Sequence, residues 1–121
     1  MSNILNEEID VLAILTVRKG TEEKFKDEVK KFMHTIINHN GILYHSFHQS
    51  QENKCDFIFY ERYISKVHLD EHTNSKELKL WKNIRDTYVI QRKLITLTPL
   101  MRIIMDNKKI LYHDDMDIII S

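Results

Sequence analysis

The stretch IDVLAILTVRKG, residues 9–20, is apolar on both sides of an extended chain. Alternate residues of a strand point to opposite faces. Val11, Ala13, Leu15 and Val17 therefore share one face, and Leu12, Ile14, Thr16 and Arg18 share the other. Both faces are apolar at the centre, so each needs a cover. The next segment supplies one. In KGTEEKFKDEVKKFMHTIINHNG, residues 19–41, Phe25, Val29, Phe32, Met33 and Ile36 recur at helical spacing. Thr21 is the expected N-cap. Glu22 and Glu23 stand in the first turn and Lys30 and Lys31 further on, the order the helix dipole favours. Gly41 offers a left-handed turn at the end.

Working outward, ILYHSFHQS (42–50) and DFIFYERYI (56–64) read as strands, and the polar QSQENKCD between them reads as a hairpin. Ser65 opens a short helix that ends near His72. Ser75 is the expected cap of a further helix, KELKLWKNIRDTYV (76–89), with Leu78, Trp81, Ile84 and Tyr88 along one side. KLITLTPLMRIIM (93–105) is a last strand region, in which Pro99 either delays pairing until Leu100 or sits on an edge. DNKK reads as a turn, and ILYHDDMDIIIS as one more short strand or an extension. Its apolar DIIIS end is an aggregation hazard if bare, so it is expected to be docked.

The order β-α-β-β-α-β is the split βαβ of an α+β, ferredoxin-like fold: four antiparallel strands with two helical segments on one face. Leu12, Ile14, Ile42, Tyr44, Ile58 and Tyr60 suggest that the other face is apolar too. The pattern leaves open which alternate set faces the helices. A second copy of the chain, packed face to face, is the economical cover for the remaining side. The expectation is one domain, 1–121, with its core at about 9–105 and a C-terminal extension at 106–121.

Composition narrows the function. Eighteen Lys and Arg balance eighteen Asp and Glu, which gives no electrostatic reason to expect nucleic acid or an anionic membrane as a partner. Two glycines and one proline argue against linkers and a glycine-rich phosphate loop. The lone Cys55 forms no internal disulfide, and a reducing cytoplasm is the natural reading. MSNILNEEID lacks the basic-then-apolar order of a secretory signal, and no window approaches the roughly 20 apolar residues of a membrane span.

His72 lies three residues after Leu69 and four after His68, so it borders the apolar side of its helix. It either projects between helix and sheet as a base or hydrogen-bond donor, or caps the helix C-terminus. His68 and His72 have chelating i, i+4 spacing, but no third ligand is identifiable, and the expectation is no metal. His45 and His48 point to opposite faces of their strand. His45 shares a face with Leu43 and Phe47 and is either a pocket residue or a core histidine. Glu61 alternates with Phe57, Phe59 and Tyr63, and a carboxylate there costs free energy unless paired with a histidine or an arginine. Phe32, Met33, Phe47, Phe59 and Trp81 are core or substrate cage. Nothing marks Cys55 as a nucleophile, and HDDMD (113–117) lacks calcium-loop spacing and reads as a solvated turn.

AILTVRKGTEEKFKDEV, NGILYHSFHQSQENKCDFIFYERYIS and LDEHTNSKEL together resemble the antibiotic biosynthesis monooxygenase family, small dimeric α/β-barrel proteins that include quinol monooxygenases. The resemblance spans about residues 11–81 and rests on strand–KG–helix, on YER plus an aromatic, and on a histidine seven residues after Ser65. It implies oxidation of a small phenolic or quinol-like aromatic by molecular oxygen without flavin, haem or metal. His72 would be the base, and His45, Phe59, Glu61, Tyr63 and Trp81 would surround the substrate. Tyr63 stands where many relatives have tryptophan and would be an aromatic wall. A small-ligand binding or isomerase-like member of the same fold is the alternative. One branch degrades haem with an asparagine, a tryptophan and a histidine; this chain has Ala13, His72 and Lys82 at those places, which argues against haem.

Overall fold

The computed structural model describes residues 7–105 and 117–120. Its elements run β1 (Ile9–Val17), α1 (Glu22–Thr35), β2 (Ile42–Gln49), β3 (Asp56–Tyr63), α2 (Lys66–Thr73), α3 (Leu78–Tyr88), β4 (Val89–Leu97), β5 (Arg102–Met105) and β6 (Asp117–Ile120). Four strands form an antiparallel sheet in the order β2-β3-β1-β4. This is the expected α+β, ferredoxin-like arrangement, with the second helical segment made of α2 and α3.

β1 lies inside the sheet between β3 and β4, which is why its sequence is apolar on both faces. The face that meets the helices carries Ala13, Leu15, Val17, Phe57 and Phe59, packed against Phe25, Val29 and Phe32 of α1 and Leu78 and Ile84 of α3. Phe25 is fully buried and meets Phe57 edge-on at 5.0 Å between ring centres. The opposite face carries Leu12, Ile14, Ile58 and Tyr60, all half-buried.

Ile42 departs from its expected place on that second face. The register of β2 shifts between Ile42 and Tyr44, and this bulge turns Ile42 into the core beneath the helices. Leu43 and Tyr44 are both left exposed, so Leu43 does not continue the face of His45 and Phe47. The expected caps also differ. Thr21 gives α1 no side-chain cap; its hydroxyl donates to the Arg18 carbonyl. Ser75 does not cap α3; its hydroxyl donates to the His72 carbonyl at 2.7 Å and closes the end of α2. Ser65 does cap α2, accepting from the His68 amide.

β4 begins directly after α3 and ends before Pro99, so the expected last strand region is divided into β4 and β5. β5 pairs in parallel with β6, joining Arg102–Met105 to Asp117–Ile120. The turn expected at 106–109 and all of HDDMD except Asp117 lie outside the described residues. No described helix is long and apolar enough to cross a membrane.

Gly20 and Gly41 both have positive φ, at 93° and 84°. A Cβ at Gly20 meets open space, whereas one at Gly41 would lie 2.2 Å from the His68 ring, close to the root of that side chain. Gly20→Ala is expected to cost about 1 kcal/mol from backbone conformation alone. Gly41→Ala should cost at least about twice that, measured by urea unfolding; equal effects would mean that His68 yields freely.

Candidate functional site

Between the sheet and helices α2 and α3 lies a hollow of about 250 Å³. Val11, Ala13 and Leu15 form its floor, and Phe59, Leu69 and Trp81 are among its apolar walls. Phe59 and Trp81 meet edge-on at 5.2 Å. The polar part is a cluster of His45, Glu61 and His72, whose donor atoms all lie within 4.8 Å of one another.

The fold brings these three together from separate segments. His45 and Glu61 are directly paired across β2 and β3, with His45 Nε2 3.6 Å from Glu61 Oε1. His72 descends from the last turn of α2, which Ser65 holds at one end and Ser75 at the other. A further pair of residues fixes the His72 ring. His39 Nδ1 and His72 Nδ1 are 2.9 Å apart, and His39 Nε2 is 3.4 Å from Glu77 Oε2. An ionised carboxylate only accepts, so the tautomer in which His39 Nε2 donates to Glu77 leaves His39 Nδ1 to accept from His72. That assignment leaves the lone pair of His72 on Nε2.

Burial governs the charges. It pushes His72 down to about 4, with the neighbouring His39 adding to the effect and Glu77 opposing it. Burial, helped by His72, likewise lowers His45 to about 4. Both rings are therefore neutral at pH 7. Burial raises the Glu61 carboxyl, against the hydrogen bond donated by the Tyr63 hydroxyl. His45 Nδ1 is buried without a hydrogen-bond partner among the described residues.

Five of the residues singled out in the sequence line the hollow: His72, His45, Phe59, Glu61 and Trp81. Tyr63 does not line it. Its side chain is fully buried, its hydroxyl donates to Glu61, and its ring centre is 5.4 Å from that of His72. It backs the cluster instead of forming a wall. His68 does not face water as a free ligand; it hydrogen-bonds Ser65 Oγ through Nδ1 and packs over Gly41. Among the described residues Glu61 has a tyrosine and a histidine as partners and no arginine; Arg62 turns to the other face and pairs with Glu8. Of the positions compared with haem degraders, Ala13 and His72 reach the hollow, while Lys82 is exposed.

His39 and Glu77 carry no signal in the sequence. Both lie at segment ends, His39 in NHNG and Glu77 just before α3, where no periodicity marks an inward side chain. Arg85, Arg92 and Leu94 also line the hollow and carry no motif. Chemically the site offers two neutral imidazoles, a carboxyl and an apolar enclosure. The same three side chains, His45, Glu61 and His72, are the described residues placed to hold a metal ion.

The model of the antibiotic biosynthesis monooxygenase family matches residues 9–83. The fold is shared by a protein from Nitrosomonas europaea, provisionally described as an antibiotic biosynthesis monooxygenase, with a TM-score of 0.73, 17% identity, and coverage of 82% of this chain and 96% of the other. A similarly described protein from Caulobacter crescentus gives 0.73 at 18% identity, covering 78% and 92%. Rv0793 from Mycobacterium tuberculosis gives 0.71 at 18% identity, covering 79% and 98%. No curated protein matches the sequence.

His45 and His72 have folded values near 4 against an ordinary value of 6.5, so the unfolded chain binds more protons between those limits. Stability accordingly falls as pH drops through that window. Glu61, whose value is raised, acts in the opposite sense there. The urea midpoint of the wild type should fall from pH 7 to pH 4.5 more steeply than that of His72→Gln. Parallel falls would contradict a neutral, buried His72.

Proposed function

This chain belongs to the antibiotic biosynthesis monooxygenase family, and from that premise we propose that it oxidises a small aromatic, quinol-like substrate with molecular oxygen, without a cofactor, in the hollow beneath His72. The observation that carries this reading is the neutral His72 ring at the wall of an apolar cavity of about 250 Å³. That volume is below the usual range for drug-sized ligands and suits a molecule of one or two rings.

In this reading His72 Nε2 accepts the phenolic proton. The imidazolium formed is held by the adjacent phenolate, which offsets the low basicity that burial imposes. The electron-rich ring then reduces oxygen. One oxygen atom bonds to a ring carbon, and the O–O bond breaks. The other atom leaves as water with protons from the substrate, one of them returned by His72. The substrate supplies all four electrons and ends as a quinone. Phe59 and Trp81 would hold the ring, His45 and Glu61 would orient its oxygen, and Tyr63 would position Glu61. Exclusion of water keeps the intermediate from side reactions.

An isomerase-like or purely ligand-binding role is the second reading. It is favoured by Glu61, a carboxyl with a raised pKa beside a neutral imidazole, since an acid and a base on one wall suit proton transfer without oxygen. Oxygen uptake separates the two. With a panel of dihydroxy-aromatics, the wild type should consume oxygen and place one labelled atom from ¹⁸O₂ in the product. His72→Ala should lose roughly 100-fold or more in rate. No uptake with any member of the panel would favour the second reading, and an unchanged His72→Ala rate would remove the base.

We also propose a homodimer formed through the sheet face that carries Leu12, Ile14, Ile58 and Tyr60. These side chains stay half-exposed in one chain, and an apolar patch with a polar surround suits association. The wild type should sediment at the mass of two chains and Ile58→Lys at the mass of one. A monomeric wild type at micromolar concentration would sink this assembly.

A further inference from the structure

We propose that His45, Glu61 and His72 form a binding site for a divalent first-row transition metal, with a coordination position left open toward the apolar hollow. The three side chains come from β2, β3 and α2, and their donor atoms lie within 4.8 Å of one another. Bonds of about 2.0–2.2 Å set tetrahedral donors about 3.4 Å apart, so convergence by up to about 1.4 Å closes the site. Two imidazoles and one carboxylate are a ligand set suited to zinc or iron(II) with open positions for water or substrate.

Two observations favour a cation here over a merely satisfied polar cluster. His45 Nδ1 has no hydrogen-bond partner among the described residues, and His45 Nε2 is 3.6 Å from Glu61, too far for a good hydrogen bond. The His72 ring is oriented from behind by the chain His72–His39–Glu77, with distances of 2.9 and 3.4 Å. A histidine ligand held through its other nitrogen by a group tied to a carboxylate is the outer support typical of metal sites.

The cationic side chains around the hollow do not oppose this. Arg92 and Glu61 both line the hollow, but their backbones are paired with Leu15 and Val11, an offset of four residues or about 13 Å along β1. Arg85 has Asp86 as its ion-pair partner. The ion would be left with one net positive charge, so an anionic oxygen, hydroxide or phenolate, suits its open position. Bound there, a hydroxyl group loses its proton more easily. The ion takes the lone pair of His72 that the proton would otherwise take, so the loaded and metal-free forms are distinct states of the site. The proposal concerns binding and does not depend on oxygen chemistry.

The test uses tag-free full-length protein stripped with chelator, titrated with Zn²⁺ against a chromophoric competitor, and with Co²⁺ for its visible absorption. The expected result is one equivalent of Zn²⁺ bound and a cobalt spectrum of low coordination number. His45→Gln and Glu61→Gln should each weaken binding by roughly 100-fold or more. His39→Ala should weaken it about 10- to 100-fold through loss of the outer support. His34→Ala and His48→Ala, at exposed histidines outside the cluster, should leave it unchanged. Zn²⁺ should also raise the Tm of the wild type but not of His45→Gln. That comparison keeps a poorly folded variant from being mistaken for a lost ligand. Binding no tighter than in His45→Gln, or an octahedral aquo-like cobalt spectrum, would overturn the proposal. Oxygen uptake plays no part in these readouts, so the metal site and the monooxygenase reading can fail separately.

Discussion

The structure depends on one constraint: an imidazole and a carboxyl are held on a sheet face otherwise built of hydrocarbon. Desolvating polar groups is expensive unless partners replace water. Here the partners come from different segments. The Tyr63 hydroxyl serves Glu61, His39 serves His72, and Glu77 serves His39. Each link fixes a ring or a tautomer as well as compensating for burial. The short helix α2, the bulge in β2 and the Gly41 turn all serve to place these groups.

Aromatic packing supplies the rigidity that such placement needs. Phe25 is surrounded by Phe47, Phe57, Trp81 and Tyr88, with ring centres 5.0–6.4 Å away. Phe59 and Trp81 continue this layer to the edge of the hollow, where Phe59 meets His45 edge-on with ring centres 5.4 Å apart. The core and the site are thus one layer. Its apolar end stabilises the fold, and its polar end has unspent bonding capacity at His45 and His72. That unspent capacity allows the site to meet a substrate hydroxyl or a cation.

Much of this was legible in the residues. The alternation in β1, the helical stripe in α1 and the strand-to-helix step at Ser65 gave the element order, because burial imposes period 2 on strands and 3.6 on helices. Those periods also flagged His72, His45 and Glu61 as polar groups on apolar faces. Capping was read less well. Thr21 and Ser75 have suitable chemistry, but each hydroxyl donates to a backbone carbonyl and caps no helix amide. Parity along β2 places Ile42 on the second face, and a single bulge reverses parity.

The sequence by itself determined the α+β fold and family, along with the fact that His45, Glu61 and His72 are polar residues on apolar faces. These follow from short-range patterns, since each element must bury its own hydrophobic side. Only the tertiary structure decided that the three converge, that Tyr63 stands behind them, and that His39 and Glu77 complete the chain to the surface. Convergence joins residues more than thirty positions apart, such as His39 and His72. It is fixed by strand register and by how one short helix lies over a sheet, and no local periodicity encodes either.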